Sequence, residues 1–412
     1  MKKLIVMYAG WGERFPLAQL ADDGRDLLFQ YTPEALARGL ELSPYNLQLS
    51  REAYRDFARH QQRLPGLVSD ALPDGWGLLV MDRLFRKDGI DIATVSPLDR
   101  LAFIGEEAMG ALAFEPPSPR ELEKRDVDLL QIANGVRSVL SGDSDSEGML
   151  RDLALMGGSP HGARPKVRVN LDWTSGIASR SEDGPGTPWL VKFPGQNEDP
   201  EVCAIEYVYA DMARRAGIPM PATHLFALAN DLTAFGIERF DREDGMRVPV
   251  HTVSGLAHAD FRHPTLDYLS VLRLTRFLTA DEREVLEMYR RCVFNVVFHN
   301  RDDHSKNLSF LMRRDGRWCV APGYDLTFNE GPGGYHQMDV CGEALRIERS
   351  HLIDLASKAG LKKDEAVAVL DQVCEAAEYF PHAAQNMPIK LLTWSHISAK
   401  VAHSRKLVGT HA

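Results

Sequence analysis

A chain of 412 residues, 44% of them apolar, can bury a large core and is too long for one ordinary domain, so two or three subdomains are expected. Its 48 basic against 58 acidic residues give a formal net charge of -10, which argues against direct, sequence-independent binding of DNA or RNA by the chain as a whole. The five cysteines are odd in number, scattered and without a Cys-x-x-Cys pair, and no stretch approaches the roughly 18 apolar residues of a membrane span; a cytoplasmic protein with reduced thiols is expected.

The opening Met1-Lys-Lys-Leu-Ile-Val-Met-Tyr-Ala has the look of a secretory signal, but Gly10, Gly12, Glu13 and Arg14 cut its apolar run short, and it reads better as a first strand. Strands near 3-9, 26-31 and 110-115 and helices near 51-62, 74-87 and 97-103 make residues 1-115 a small mixed unit. Pro116-Pro117-Ser118-Pro119 marks a boundary, and a helical pattern resumes from Glu121 to Leu140. Between about 163 and 240 the texture is alternating strand: Val167, Val169 and Leu171 share a face, followed by Trp189 to Phe193, Leu225 to Leu228 and Ala234 to Phe240, with a helix at about 200-216 between them. Beyond about 265 the pattern is chiefly helical, and Thr279-x-x-Glu282 reads as a capping box opening a helix that turns Val285, Leu286, Tyr289, Val293 and Val297 inward. The expected division is 1-115, 116-240 and 241-412, in an α+β chain with a β-rich lobe before a helical one.

The chemistry concentrates in Asn300-Arg-Asp-Asp-His-Ser-Lys-Asn307 and in Pro322-Gly-Tyr-Asp325-Leu. A carboxylate, an Asn five residues on and a later carboxylate are what a phosphoryl-transfer site needs, since that chemistry demands charge placement and little covalent help. Asp302 would orient the attacking hydroxyl, and Asn307 and Asp325 offer hard oxygens to Mg²⁺. Polar turn residues capping a helix explain any one of these, but poorly all three. Lys192, among apolar neighbours in Leu190-Val-Lys-Phe193, must snorkel or meet an anion, and Glu206 lies on the apolar helical stripe of Val202, Ile205, Tyr209 and Ala213. Pairing Lys192 with Glu206, with the lysine also on ATP phosphates, accounts for both; two independent edge charges are the alternative. The loop Gly157-Gly158-Ser159-Pro160-His161-Gly162-Ala163-Arg164-Pro165-Lys166 can bring backbone N–H groups to a phosphate, with Arg164 and Lys166 beside it. Glu238-Arg-Phe240 ends a strand where a kinase places the backbone that binds adenine, or is a plain amphipathic strand end.

Together these motifs resemble the HipA family of serine/threonine-protein kinase toxins of bacterial type II toxin-antitoxin systems. Ser159 to Lys166 resembles its Ser-x-x-Gly-x-x-x-Lys phosphate loop, Trp189 to Pro194 its ATP-lysine strand, Ile237 to Arg242 its Glu-Arg-Phe-Asp-Arg segment, and Asn300 to Asn307 with Tyr324-Asp325 its catalytic and metal segments. Leu64-Pro-Gly and Leu72-Pro-Asp-Gly-Trp-Gly resemble the family's amino-terminal subdomain. The resemblance implies a two-lobed protein-kinase-like fold and ATP- and Mg²⁺-dependent phosphorylation of a protein hydroxyl. Asp302 would be catalytic, Asn307 and Asp325 would hold the metal, and ATP would meet Lys192, Glu206, Glu238, Phe240, Gly157, Gly158, Gly162, Lys166, His304 and Lys306. It also implies autophosphorylation of Ser159, a HipB-like helix-turn-helix antitoxin that carries the complex to operator DNA, and a substrate in translation such as an aminoacyl-tRNA synthetase. Pro160 and His161 depart from the small apolar residues common after that serine, and no Gly-x-Gly-x-x-Gly, Asp-Phe-Gly or Ala-Pro-Glu mark of eukaryotic kinases is present. A small-molecule or lipid kinase, or an idle corepressor scaffold, remains as the competing reading.

Overall fold

The protein is described from a computed structural model, which covers residues 2–118, 126–142, 147–157, 161–174, 177–179, 184, 186–229 and 232–409. The chain divides into two compact units: residues 1–203 with 222–251, and residues 204–221 with 252–412.

The first unit holds two larger antiparallel sheets and a two-stranded ribbon of Arg242–Glu243 with Met246–Arg247. In the smaller of the two sheets, Leu27–Tyr31 (β3), Phe15–Asp22 (β2), Lys3–Tyr8 (β1) and Leu112–Glu115 (β4) lie in the order β3-β2-β1-β4. Leu4, Val6, Ala18, Leu20, Leu27 and Phe29 form its buried side, the period-two pattern a half-covered sheet requires. The helices Gly75–Lys87 and Pro97–Ile104 fall where expected, the second opened by a true capping box in which Ser96 and Asp99 satisfy each other's backbone. No α-helix forms at 51-62, only a single 3₁₀ turn at Arg59–Gln61. Tyr54 instead exchanges backbone hydrogen bonds with Phe29, 2.7 and 2.9 Å, so long-range pairing at the sheet edge overrides local helical propensity.

The larger sheet has the order β5-β7-β6-β8-β10-β9, comprising Asp126–Val127 (β5), Lys166–Asp172 (β6), Ile177–Ser179 (β7), Thr187–Lys192 (β8), Thr223–Ala227 (β9) and Thr233–Glu238 (β10). β7 is a three-residue strand paired with both β5 and β6. Within the expected helix from Glu121 to Leu140, the described part gives a short strand, β5, before the helix Leu129–Ser141. Ser43, His251 and Asp70 form a Ser-His-Asp chain, 3.0 Å from the hydroxyl to Nε2 and 2.6 Å from Nδ1 to the carboxylate. Ser43 is fully buried, so this chain ties three segments of the first unit together and offers no reachable nucleophile.

The second unit is chiefly helical: most of Glu201–Arg215, then Tyr268–Thr279, Glu282–Val297, Arg349–Lys358, Lys363–Ala383 and Leu391–Val408, with one antiparallel hairpin of Ser309–Met312 and Trp318–Val320. The expected capping box at Thr279 is corrected. Thr279 is the last residue of one helix and its hydroxyl bonds the Thr275 carbonyl at 2.8 Å, while Asp281 caps the next helix by accepting the Arg283 amide at 2.9 Å. Met288 is buried on that helix, where Leu286 is only half-buried. Phe294 and Phe298 stack at 4.3 Å, Phe380 meets Phe298 edge-on, and the Tyr209 hydroxyl donates to the Phe298 carbonyl at 2.7 Å. No disulfide forms, and among the described residues no helix is long and apolar enough to cross a membrane.

Candidate active site

The candidate residues fall on both units. In the first, Gly157 ends the helix Glu147–Gly157 and Lys166 opens β6; Gly158 and Ser159 lie outside the described residues. Gly162 has φ +103°, a conformation open mainly to glycine. Its amide donates to the Asp74 carboxylate and its carbonyl accepts from the Trp76 amide at 3.2 Å. A Cβ on Gly75 would stand 2.6 Å from the Gly162 carbonyl oxygen. The Asp-Gly-Trp of the amino-terminal region therefore grips the phosphate-loop candidate by its backbone, a role sequence reasoning did not find.

Lys166 stands directly opposite Lys192 across β6 and β8, and Phe235 stands opposite Lys192 on β10. Both lysines are almost fully buried, 2% and 3% exposed. The Lys166 ammonium donates to the His161 carbonyl, and the Lys192 ammonium lies 5.7 Å from the Phe235 ring centroid. Opposed residues of an antiparallel pair point to the same face, so both lysine side chains leave the sheet on one side. Glu206 is 2% exposed on the helix Glu201–Arg215, in the second unit.

At the end of β10 the Glu238 amide already donates to Ala222 and the Arg239 amide to Pro188, at 2.9 and 2.8 Å, so neither N–H is available to an adenine. The rest of this motif is structural in a way its sequence did not disclose. Arg239 makes a two-pronged contact with Asp241, both bonds 2.9 Å, and Arg242 and the Gly110 amide each reach the same carboxylate at 2.8 Å. Burial opposes ionisation of Asp241, but Arg239 and Arg242 outweigh it and hold the carboxyl well below the usual carboxylate range.

In the second unit, the helix Glu282–Val297 ends at Phe298, and His299 takes φ +55° to turn the chain into the irregular segment that carries Asp302. The Asp302 side chain is 43% exposed, and its Oδ1 lies 3.8 Å from His304 Nε2. His304 and Lys306 share the ring of Phe261, His304 at 5.3 Å between centroids and the Lys306 ammonium at 4.4 Å. Asn307 donates through Nδ2 to the Asp302 carbonyl at 2.8 Å, which closes the loop and fixes the side of the amide that carries its oxygen. Tyr324 bonds the Lys306 carbonyl at 2.8 Å and the Ser309 hydroxyl at 2.5 Å, tying the residue before Asp325 to the loop that ends in Asn307. Asp325 has φ +54°, a strained backbone that Asp tolerates better than most residues. No group of three or more His, Cys, Asp or Glu among the described residues is arranged as a metal cage. Asn307 and Asp325 fit the other manner of holding Mg²⁺, one carboxylate and one amide oxygen with phosphate and water completing the shell.

His299 is nearly buried, and its Nε2 meets Glu330 at 3.3 Å. Burial, reinforced by Arg301, pushes this imidazole down to about 4. It is neutral at pH 7, so the contact is a hydrogen bond to the carboxylate. Hydrogen bonds from His396, Lys400 and His299 overcome burial to hold Glu330 at about 2.

Comparison with known proteins bears on the whole chain. Residues 158–379 match the family model described as the HipA-like C-terminal domain, and residues 11–115 match the HipA N-terminal domain. A Haemophilus influenzae protein named "Putative kinase" is 24% identical over 149 residues, which is 32% of this chain and 43% of that relative, so the chain matches less than half the relative's length. The structure of Shewanella oneidensis MR-1 HipA, solved with HipB and its operator DNA, superposes with a TM-score of 0.69 at 16% identity and covers 98% of this chain and 95% of that one. The Helicobacter pylori proinflammatory kinase CtkA gives a TM-score of 0.39 at 11% identity, over 55% of this chain and 86% of that one. The fold class is therefore the α+β, protein-kinase-like class expected from the sequence.

Proposed function

The chain belongs to the HipA family, and from that premise we propose that it is an ATP- and Mg²⁺-dependent serine/threonine-protein kinase acting as a toxin-antitoxin toxin. The observation that carries the reading is the loop from Asn300 to Asn307, which leaves one carboxylate, Asp302, open to solvent while Asn307 braces its backbone. Asp302 orients the acceptor hydroxyl and takes up its proton. Lys166 and Lys192, opposed and buried, would meet ATP phosphates, with Glu206 as the carboxylate the sequence suggests for Lys192. Gly157, Gly158 and Gly162 bring the loop backbone close to those phosphates, while Glu238 and Phe240 border the base. His304 and Lys306 flank the transferred group. Asn307 and Asp325 would hold Mg²⁺, whose charge, when bound, neutralises the developing charge on the phosphates.

The same reading gives three functional parts, 1-115, 116-240 and 241-412. The partner is a HipB-like helix-turn-helix antitoxin, which carries the complex to operator DNA, as HipB accompanies the Shewanella protein in its operator complex. The acidic balance of this chain suits a basic partner. The substrate is a protein hydroxyl in translation, an aminoacyl-tRNA synthetase being the leading candidate. Phosphorylation of Ser159 would add about -1.5 to -2 charges to a loop that holds phosphates, and so shut the enzyme off.

The test is the intact mass of the purified full chain with and without Mg-ATP, beside Asp302→Ala. A gain of about 80 Da per phosphate in the wild type, absent in the variant, is expected, with Ser159 carrying it. Absence of both phosphate gain and ATP binding would overturn the kinase reading in favour of a corepressor scaffold.

A further inference from the structure

Asp303 neighbours Asp302 and has the opposite environment: its side chain is wholly enclosed. Its Oδ2 accepts from the Tyr268 hydroxyl and from His336 Nδ1, both at 2.8 Å, and its Oδ1 accepts from the Gln337 amide at 2.8 Å. Tyr268 in turn accepts from Asn295 at 3.0 Å, and Asn295 accepts from Asn300 at 2.9 Å, which returns the chain of bonds to the start of the same loop. Burial, and then the Asp303 charge, raise the Tyr268 hydroxyl well above its ordinary range, so it stays a donor. A carboxylate accepts only, so the proton on His336 Nδ1 is assigned by this partner.

Residues 301–304 belong to no helix or strand, and the nearest backbone tie before Asp302 is an isolated bridge of Asn300 with Asn329, in which the Arg301 amide donates to the Asn329 carbonyl at 3.2 Å. Burying a carboxylate costs several kcal/mol unless donors surround it, and an apolar side chain would fill the volume at less cost. What the carboxylate adds is direction: three donors from two distant segments fix one residue of the loop at a single position.

We infer that Asp303 is a positioning residue for phosphotransfer, clamping the loop between the helix Tyr268–Thr279 and the segment at 336–337 so that Asp302 meets the acceptor in one orientation. The inference rests on the kinase reading above. Displacing a catalytic group by about 1 Å costs on the order of a hundredfold in rate.

The experiment measures ADP formation from Mg-ATP by the full chain in wild type, Asp302→Ala, Asp303→Asn, Tyr268→Phe and His336→Gln, with thermal melting of each. Asp303→Asn is expected to lower kcat roughly ten- to a hundredfold while KM for ATP stays within about threefold, because positioning acts on the step and not on nucleotide binding. Tyr268→Phe, which removes one donor and keeps the bulk, and His336→Gln, which exchanges the fixed ring Nδ1 for a flexible amide, are expected to lower kcat by smaller factors with KM likewise held. They carry the test should Asp303→Asn fail to fold. Unchanged kcat in the folded variants, or kcat and KM moving together, overturns the inference alone. Wild type that forms no more ADP than Asp302→Ala overturns the kinase reading and this inference with it.

Discussion

Adjacent residues in this chain carry opposite duties, and only one of each pair declares itself in the sequence. Asp302 is legible by its spacing to Asn307 and Asp325; Asp303 is not, because Tyr268 and His336 lie about thirty residues away on either side and no local pattern announces them. The same holds for Asp241, whose arginine partners are local but whose Gly110 amide is not. His299 is a third case, and it carries a prediction. The folded protein keeps this imidazole neutral down to about 4, whereas an unfolded histidine protonates near 6.5, so on acidification the unfolded state takes up the proton first. The stability it contributes is full above about pH 6.5 and is lost as pH falls toward 4. At about 1.4 kcal/mol per unit of depression, the effect is on the order of 3 kcal/mol. Urea midpoints at pH 7 and pH 4.5 should separate clearly in wild type and by less in His299→Gln, while equal separation in both proteins would rule out His299 as the source. Glu330, held at about 2, adds its own loss only at lower pH.

At the scale of elements, alternation made the inner strands readable, since a side-chain period of two leaves its mark wherever one face is buried. Phe15–Asp22 went unread between its flanking glycines, and 51-62 was read as a helix because pairing of Tyr54 with Phe29 is a long-range event. Register is the larger gain from the structure. Lys166 and Lys192 each read as a candidate from sequence, but only the pairing of β6 with β8 sets them opposite each other. Lys166→Met keeps the apolar stem of the side chain and removes its ammonium, with the bond to the His161 carbonyl. At Mg-ATP about a hundredfold above Kd, the wild type should be stabilised by about 2.7 kcal/mol and the variant by little. A variant that responds fully to ATP would show that the two lysines do not serve one anion.

Over the whole molecule, the amino-terminal part, 1-115, and the strand-rich part that follows it fall within one compact unit. The reason lies in the polar groups that cross between them. Arg247 donates to the carbonyls of Glu106, Ala108, Gly110 and Leu112, Arg242 to that of Gly110, and Arg168 pairs with Glu107 at 3.0 Å. Asp74 and Trp76 hold Gly162, and Asp70 holds His251. Removing residues 1–118 would strip Arg247 of the carbonyls it meets there, Arg168 of Glu107, the Asp241 carboxylate of the Gly110 amide and Gly162 of Asp74 and Trp76 at once, and breaking a buried ion pair from one side already costs about 3–5 kcal/mol. That is a large share of the roughly 5–15 kcal/mol that holds an ordinary domain folded. Hydrogen exchange on residues 119–412 alone should therefore find β6, β8 and β10 unprotected, while the helices Tyr268–Thr279 and Glu282–Val297, whose core lies in the second unit, keep their protection. Adding residues 1–118 as a separate chain should restore protection to the sheet. Full protection of the sheet in the shorter chain would mean that the amino-terminal region is a detachable module after all, and that its grip on Gly162 contributes nothing to the fold.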